Sequence, residues 1–567
     1  GGGGGGDVLN FGENGGKGGF GGGGGGGGDV ISVDGGGNGG FGGGGAGESL
    51  IGLFAGAGGF GAGDGGARFE DPDNAGTFAG GGGGGGAGFG GAIFVRDGGH
   101  LTIGAGSMTG GAAAGGSGNT SLGSAETGED GQGAGTGLFL QGTGVLAFNP
   151  GSGETTTIGD SIADEAGLVA SGYTPPSGYV LGSWSLAKSG AGTLVLTGDS
   201  IYSGTTTVSA GLLRVDGMLA YTATTVLNGG TLGGNGTTGA VAVAAGGTIG
   251  AGASPGLLTT GDLALSEGAM LEAEIAGTTA GAGGYDQIAV IGTVDLGNAT
   301  LDALLLGGFD PAFGDSFAII DNDGADAVAG TFAGLAEGAQ FVASGRAFAI
   351  SYEGGDGNDV VLTAIQAVII GTDGKDRVNG SNTVYGQLPA TKGADIIKGK
   401  GGDDTLSGIA GDDLIYGNGA DDSLRGKADN DTLYGGKGKD SLKGGAGDDI
   451  LDGGPGRDKL TGGSDDDTFV FSKKLKSSSI DTITDFGKGD DVIQLSSAIF
   501  KKLGPAGELQ AEHFSLGAAT GDKAQIVYIV RDGTLAYDKN GAKAGGDKIF
   551  AKVDKGTVLD HADFLIA

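Results

Sequence analysis

Nine aspartates stand at one spacing: Asp395, Asp404, Asp413, Asp422, Asp431, Asp440, Asp449, Asp458 and Asp467, each nine residues from the next. Carboxylates repeated at a fixed interval repel one another, and their oxygens are hard donors suited to a divalent cation. The residues between them are constant in kind. The clearest copies are Gly435-Gly-Lys-Gly-Lys-Asp-Ser-Leu-Lys443, Gly444-Gly-Ala-Gly-Asp-Asp-Ile-Leu-Asp452 and Gly453-Gly-Pro-Gly-Arg-Asp-Lys-Leu-Thr461. A chance glycine–aspartate run would not hold phase over nine copies.

The pattern dictates the elements that must position these carboxylates. The first six positions of each copy form a glycine-rich turn, where positive φ angles carry no steric cost for glycine. The last three form a short strand, whose central residue (Leu406, Ile415, Leu424, Leu433, Leu442, Leu451, Leu460, Phe469) points into a narrow core by strand alternation. Two copies make one coil, so aspartates eighteen residues apart become neighbours on one edge. Ca2+ takes six to eight oxygens at about 2.3–2.6 Å, whereas Mg2+ demands a smaller octahedron and keeps its waters. The expected ligands are the ladder carboxylates, an earlier one at Asp376, and turn carbonyls at the fourth-position glycines Gly402, Gly411, Gly438, Gly447 and Gly456. That position holds Ala420, Asp429 and Asp465 in three copies, where weaker sites are expected. Asp376 lies nineteen residues before Asp395, an offset that one extra turn residue would explain.

These copies resemble the calcium-binding nonapeptide of RTX proteins, which fold as a parallel β-roll. Residues 471–567 resemble the carboxyl region of RTX exports. Asp481-Thr-Ile-Thr-Asp-Phe-Gly-Lys-Gly-Asp-Asp-Val-Ile-Gln-Leu495 is similar to a segment that caps the roll, and Gly533–Gly541 reads as a hairpin. The ending Asp563-Phe-Leu-Ile-Ala567 is similar to a type I secretion signal and reads equally as a last strand. The resemblance implies a secreted protein, passed by type I secretion machinery and folded by multiple calcium ions outside the cell. An isolated match, Gly354-Gly-Asp-Gly-Asn-Asp-Val-Val-Leu362, is out of phase, with Asp359 seventeen residues before Asp376. It reads as a strand, with a calcium site as the lesser alternative.

Composition sets the wider bounds. The 567 residues exceed one compact core. Glycine accounts for 143 of them without a Gly-X-Y period, and proline for only 9, which excludes collagen. A net charge of −36 disfavours nucleic acid and attracts divalent cations. No cysteine is present, so neither disulfides nor thiolate metal sites form. No apolar run reaches the roughly 20 residues of a transmembrane helix. Only six of the 31 Lys and Arg precede residue 370, so composition changes there and a boundary is placed there.

Residues 1–135 are very rich in glycine, with Gly-Phe pairs at Phe20, Phe41, Phe60 and Phe89, and read as a flexible segment or an irregular solenoid. Two strands are expected within 91–96 and 100–103. Residues 136–370 read as many short strands punctuated by Gly, Asn or Asp, such as Thr193–Thr197, Thr205–Val208 and Leu212–Val215. Gly190-Ala-Gly-Thr-Leu-Val-Leu-Thr-Gly198, Tyr202–Val215 and Ala253-Ser-Pro-Gly-Leu-Leu-Thr-Thr-Gly261 resemble the autotransporter-associated β-strand repeat of passenger domains. That likeness implies a surface stalk or adhesin. It does not extend to self-translocation, because residues 371–567 do not read as a strand-rich membrane barrel.

Catalytic patterns are weak. There are three histidines, His100, His513 and His561, and no HExxH. Gly252-Ala-Ser-Pro-Gly256 matches GxSxG, but Pro255 lacks the N–H an oxyanion hole needs there. Gly-Asp-Ser-Ile occurs at 159–162 and 198–201 among glycine-flanked strands. Asp160, Asp164 and Glu165 would be the carboxylates of a polysaccharide lyase or epimerase.

The expectation is therefore an all-β chain: glycine-rich 1–135, a right-handed parallel β-helix over 136–370, a calcium-binding parallel β-roll over 371–470, and a small β-rich cap over 471–567. Its expected role is a non-enzymatic, extracellular or cell-surface adhesive protein contacting cell-surface glycans or itself. A surface-layer or biofilm-matrix protein and a β-helix polysaccharide lyase or epimerase are the alternatives.

Overall fold

The computed structural model describes residues 133–567 except 172, 174, 176–178, 220, 253–254 and 544. Before 133 it describes 69–70, 78–79, 88–89, 93–95, 97–99, 101–103 and 105–113. Most of the glycine-rich segment, with Phe20, Phe41 and Phe60, lies outside the described residues, as do His100, Ala253 and Ser254. The two strands expected near residue 100 are present as Ile93–Val95 and Thr102–Ile103.

The described chain is nearly all β, its α-helix being Glu165–Ala170, and its sheets are mainly parallel, as a β-solenoid requires. It divides into two compact units. One comprises Gly1–Asp310, Phe317–Glu337 and Ser351–Leu362; the other comprises Pro311–Ser316, Gly338–Ile350 and Thr363–Ala567.

In the first unit each coil lays down up to three short strands. One sheet stacks, among its described strands, Gly144–Phe148, Trp184–Lys188, Thr206–Val208, Thr224–Val226, Val241–Val243 and Leu263–Leu265 in parallel. Alternation puts one row inward: Phe148, Val208, Val226, Val243 and Leu265 are all buried, while Ala242 and Ala264 face out. The register keeps these rows aligned although coil length drifts. Thr224 pairs with Val241, Val241 with Leu263 and Leu263 with Val294, giving coils of 17, 22 and 31 residues. Lys188 occupies the same inward row. Its buried ammonium donates to the carbonyls of Ser189 (3.0 Å), Gly190 (2.9 Å) and Ala210 (2.8 Å). Those bonds satisfy turn carbonyls that would otherwise be left unpaired in the core.

In the nonapeptide array of the second unit each coil has two strands and a fixed length. Ile396 pairs with Leu414, Leu414 with Thr432 and Thr432 with Ile450, eighteen residues at every step. The core is two rows of single apolar residues. Ile397, Ile415, Leu433, Leu451 and Phe469 face Leu406, Leu424, Leu442 and Leu460, each at most 1 % exposed. Both sheets continue past residue 470, through Thr468–Phe471, Val492–Leu495 and Phe564–Ile566 on one side and Asp481–Ile483 and Asp547–Lys552 on the other. The segment 533–541 is not itself a hairpin. Thr534–Asp538 is buried along its whole length and lies between Gln525–Ile529 and Asp547–Lys552, antiparallel to both. The turns fall on either side of it, at Gly533 (φ +75°) and Gly541 (φ +69°).

Asp286 ties together turns of the first unit, accepting N–H from Gly256 (2.7 Å) and Glu274 (3.0 Å). Burial outweighs those bonds and pushes its pKa up to about 7. The folded chain thus keeps a proton that the unfolded chain releases near pH 4. Stability should fall as pH rises from about 4 to 7, by up to about 1.4 kcal/mol per pH unit. Denaturant unfolding followed by fluorescence of the single tryptophan, Trp184, should show this slope, and Asp286→Asn should flatten it.

Candidate metal centre

Each aspartate of the array ends a turn and opens a strand. Its backbone N–H donates to Oδ1 of the aspartate one coil further on: Asp395 to Asp413 (2.8 Å), Asp404 to Asp422 (2.9 Å), Asp413 to Asp431 (2.9 Å), Asp422 to Asp440 (2.8 Å), Asp431 to Asp449 (2.8 Å), Asp440 to Asp458 (2.9 Å) and Asp449 to Asp467 (3.1 Å). The carboxylates therefore stack in two ladders, one on each edge. Asp376 belongs to the edge of Asp404, to whose Oδ1 its N–H donates at 2.8 Å. One extra turn residue does not explain its offset. After Val378 the chain makes an excursion, turned by mutual backbone bonds of Asn379 and Asn382, and returns on the opposite edge at Asp395.

The ladders extend beyond the regular spacing. Asp458 donates to Asp481 Oδ1 (2.9 Å) and Asp467 to Asp491 Oδ1 (3.0 Å), so the segment read as a cap supplies one more rung to each edge. Strict nine-residue counting misses both rungs. The signal that marks them is the local triplet: Asp481-Thr-Ile483 and Asp491-Val-Ile493 repeat the aspartate followed two residues later by a core residue.

Only one carboxylate oxygen of each rung is used in this way. Oδ2 of Asp404, Asp413, Asp422, Asp431, Asp440, Asp449 and Asp458 is buried and has no hydrogen-bond donor. Burial, chiefly, pushes Asp413 up to about 9, Asp467 to about 8, Asp422, Asp431 and Asp440 to about 7, and Asp395 and Asp449 to about 6. Neighbouring rungs add repulsion at Asp413, Asp422, Asp431 and Asp440. Asp458 and Asp481 are raised as well, again mainly by burial. Two rows of buried oxygens without donors, which carry charge at neutral pH only at a steep cost, have the chemistry that suits a hard cation. Among the described residues no three His, Cys, Asp or Glu side chains converge on one point. Turn carbonyls and waters would have to complete any coordination shell.

The glycines explain how the turns fit. At the first position, a Cβ on Gly408 would sit 1.7 Å from Asp413 Oδ2, because the aspartate folds back over its own turn. Every copy from Gly399 to Gly462 has glycine there, a regularity that reading the fourth position alone passes over. At the fourth position, Gly402, Gly411, Gly438, Gly447 and Gly456 pass close over the turn of the previous coil; a Cβ on Gly438 would lie 1.8 Å from the Ala420 carbonyl oxygen. The turn keeps its shape where glycine is missing. Lys400, Ile409, Asn418 and Lys427 at the second position, and Ala420, Asp429 and Asp465 at the fourth, all have positive φ. A second set of side chains runs the other way: Asp421 N–H donates back to Asp403 (3.1 Å) and Asp466 N–H to Asp448 (3.0 Å).

The catalytic candidates are occupied structurally. Asp160 accepts N–H from Gly110 and Gly111, Asp164 from Gly167, Trp184 and Ser203, and Glu165 from Gly142 and Gly182. Ser161 Oγ bonds Thr136, and Ser200 Oγ accepts the Ile162 N–H. His513 and His561 contact the Ala524 carbonyl and Glu508.

Comparison with known proteins agrees with this geometry. The RTX calcium-binding nonapeptide repeat family (4 copies) matches residues 390–424, 416–451 and 434–469. The passenger-associated transport repeat matches residues 186–215. The chain is 49 % identical over 76 residues to the adhesin BmaC autotransporter of Brucella suis biovar 1 (strain 1330), covering 13 % of this chain and 2 % of that protein. It is 33 % identical over 128 residues to an extracellular serine protease of Serratia marcescens, covering 22 % of this chain and 12 % of that one. The chain thus carries RTX calcium-binding repeats beside a passenger-type β-solenoid segment. No helix among the described residues is long and apolar enough to cross a membrane.

Two substitutions test the turn in opposite directions. Gly408→Ala should destabilise the second unit by about 1–3 kcal/mol, because the new Cβ would displace the Asp413 carboxylate and leave the buried Asp395 N–H without its acceptor. Lys427→Gly, at an exposed residue with φ +107°, should be neutral to stabilising by up to about 1 kcal/mol. Denaturant midpoints at fixed calcium read both.

Proposed function

We propose that this is an exported, non-enzymatic adhesive solenoid at the cell surface or outside the cell, whose nonapeptide roll folds on extracellular calcium. The observation that carries the reading is the row of seven buried Oδ2 atoms without donors. In this reading the ladder aspartates from Asp376 to Asp467, joined by Asp481 and Asp491, and the carbonyls of the fourth-position glycines hold the ions. The ion supplies the positive charge that the buried carboxylates lack. The proposed modules are 1–135, a passenger-like body at 136–370, the roll at 371–470 and the cap at 471–567.

Export is explained by the same electrostatics. Extracellular calcium modules bind at roughly 10⁻⁴–10⁻³ M. Below that concentration the ladders repel and the roll stays open, as passage through a type I apparatus requires. Outside, calcium at about 100 times Kd adds roughly 2.7 kcal/mol per independent site. A few sites then match the whole stability of an ordinary domain, about 5–15 kcal/mol.

The adhesive reading draws on the likeness to one adhesin and on a surface of the roll. The outward face of one sheet carries Arg425 and Lys443 in one register row and Arg377 and Lys459 in the row two residues before it, with Lys427 exposed on the strand of Arg425. Arg425 pairs directly with Lys443. Like charges opposed across strands destabilise a sheet, and an anionic glycan would relieve them. Assembly into a surface layer or matrix is the second reading, favoured by exposed outer carboxylates such as Asp403, Asp421, Asp448 and Asp466, each of which has only Oδ1 engaged by a backbone N–H and keeps Oδ2 for calcium shared between copies.

Co-expressed with a type I apparatus, the wild-type chain should accumulate folded in calcium-containing medium and bind an anionic-glycan surface in a salt-sensitive way. The triple variant Asp440→Asn, Asp449→Asn, Asp458→Asn should lose most of both. Equal export and binding by the two chains would overturn the proposal, and ordered arrays on imaging without glycan binding would favour the matrix reading.

A further inference from the structure

A second carboxylate turn lies outside the repeat array, in the first unit. The Asp359 carboxylate, 7 % exposed, accepts the backbone N–H of Asn322 at 2.9 Å, just as each ladder aspartate accepts one from the neighbouring coil. Its Oδ2 folds back over its own turn: a Cβ on Gly355 would lie 1.7 Å from it, the same approach found at Gly408 and Asp413.

Two buried amides stand beside it. Asn322, 1 % exposed, donates its Nδ2 to the Asp326 carbonyl at 2.8 Å. Asn358, 4 % exposed, donates its Nδ2 to the carbonyls of Asp323 (3.3 Å) and Asp326 (3.1 Å). These carbonyls fix which end of each amide is nitrogen, because reversal would set oxygen against oxygen. The consequence is that Oδ1 of both asparagines is buried with no donor. Each such oxygen leaves a desolvation cost unmet. Both belong to one pair of facing turns, 321–326 and 356–359, with the exposed carboxylates of Asp321 and Asp356 nearby.

We propose that these two turns bind one divalent cation of the calcium class, with the Asp359 carboxylate as charged ligand and Asn322 Oδ1 and Asn358 Oδ1 as neutral ligands. Carboxylate with amide oxygens is a donor set calcium accepts, the remainder of its shell being carbonyl or water. The cation clips the 321–326 turn to the strand Asp359–Ala364. It explains why a nonapeptide-like sequence stands here out of phase with the array. The site lies wholly within the first unit and does not rest on the function proposed for the roll.

Hydrogen exchange of the full chain, read by mass spectrometry with calcium, with magnesium and with chelator, tests it. At calcium about ten times Kd, exchange in peptides covering 319–326 and 353–362 should slow about tenfold. Asp359→Asn should abolish that slowing and leave the calcium response of 414–464 intact. The triple variant Asp440→Asn, Asp449→Asn, Asp458→Asn should do the reverse. The metal-free exchange pattern of Asp359→Asn is its folding control; if that pattern is lost, Asn358→Ser, which removes one neutral ligand and keeps the carboxylate, should show the same loss. Exchange there that ignores calcium in the wild-type chain, as bridging water alone would give, overturns the proposal, as does undiminished calcium protection in the folded variants.

Discussion

The second unit depends on one constraint: carboxylates stacked coil upon coil, with one oxygen bonded and, in the seven from Asp404 to Asp458, the other buried without a donor. The Oδ1 side is a strength, since the bond from one aspartate N–H to the next aspartate Oδ1 locks coil to coil. The Oδ2 side is a liability of the same periodicity. Two rows of single apolar residues make a thin core, too little to offset a column of buried like charges. Arg425, Lys443 and Lys459 sit on the outward strand faces, away from the buried oxygens, so on the proposed reading the compensating charge comes from a cation outside the chain.

The first unit meets the same problem by internal means. Asp164 is fully buried yet accepts three backbone N–H groups, and Lys188 spends its ammonium on three carbonyls. Its core is broader, because up to three strands per coil enclose Phe139, Phe148, Trp184 and Tyr202. Coil length is then free to drift from 17 to 31 residues, since no ladder must stay in step. Regular length goes with buried carboxylate oxygens that lack donors in one unit; irregular length goes with buried charges met by backbone groups, as at Asp164 and Lys188, in the other.

That contrast decides what could be read from the sequence. A strict period exposed the roll's turns, its inward residues and its two-copy coil, because one slip would move a core residue to the surface. The rungs at Asp481 and Asp491 were hidden because their turns are longer, so only the local triplet keeps the pattern. The edge on which Asp376 stands was hidden for a related reason: an excursion after Val378 changes sides, and counting residues cannot see a change of side. In the first unit alternation marked the strands, but assigning them to faces needs the register, which variable loops conceal. The unmet oxygens of Asn322 and Asn358 are invisible in sequence altogether, since they arise from a carbonyl shared across a turn.

The central claim is that the roll cannot complete itself without a hard divalent cation. Calcium titrated into chelator-treated full-length protein, followed by far-UV circular dichroism, tests it most directly. The account predicts a cooperative gain of β signal at millimolar calcium or below, reversed by chelator and not reproduced by magnesium. A spectrum that is unchanged across the titration, with β signal already complete in chelator, would contradict it.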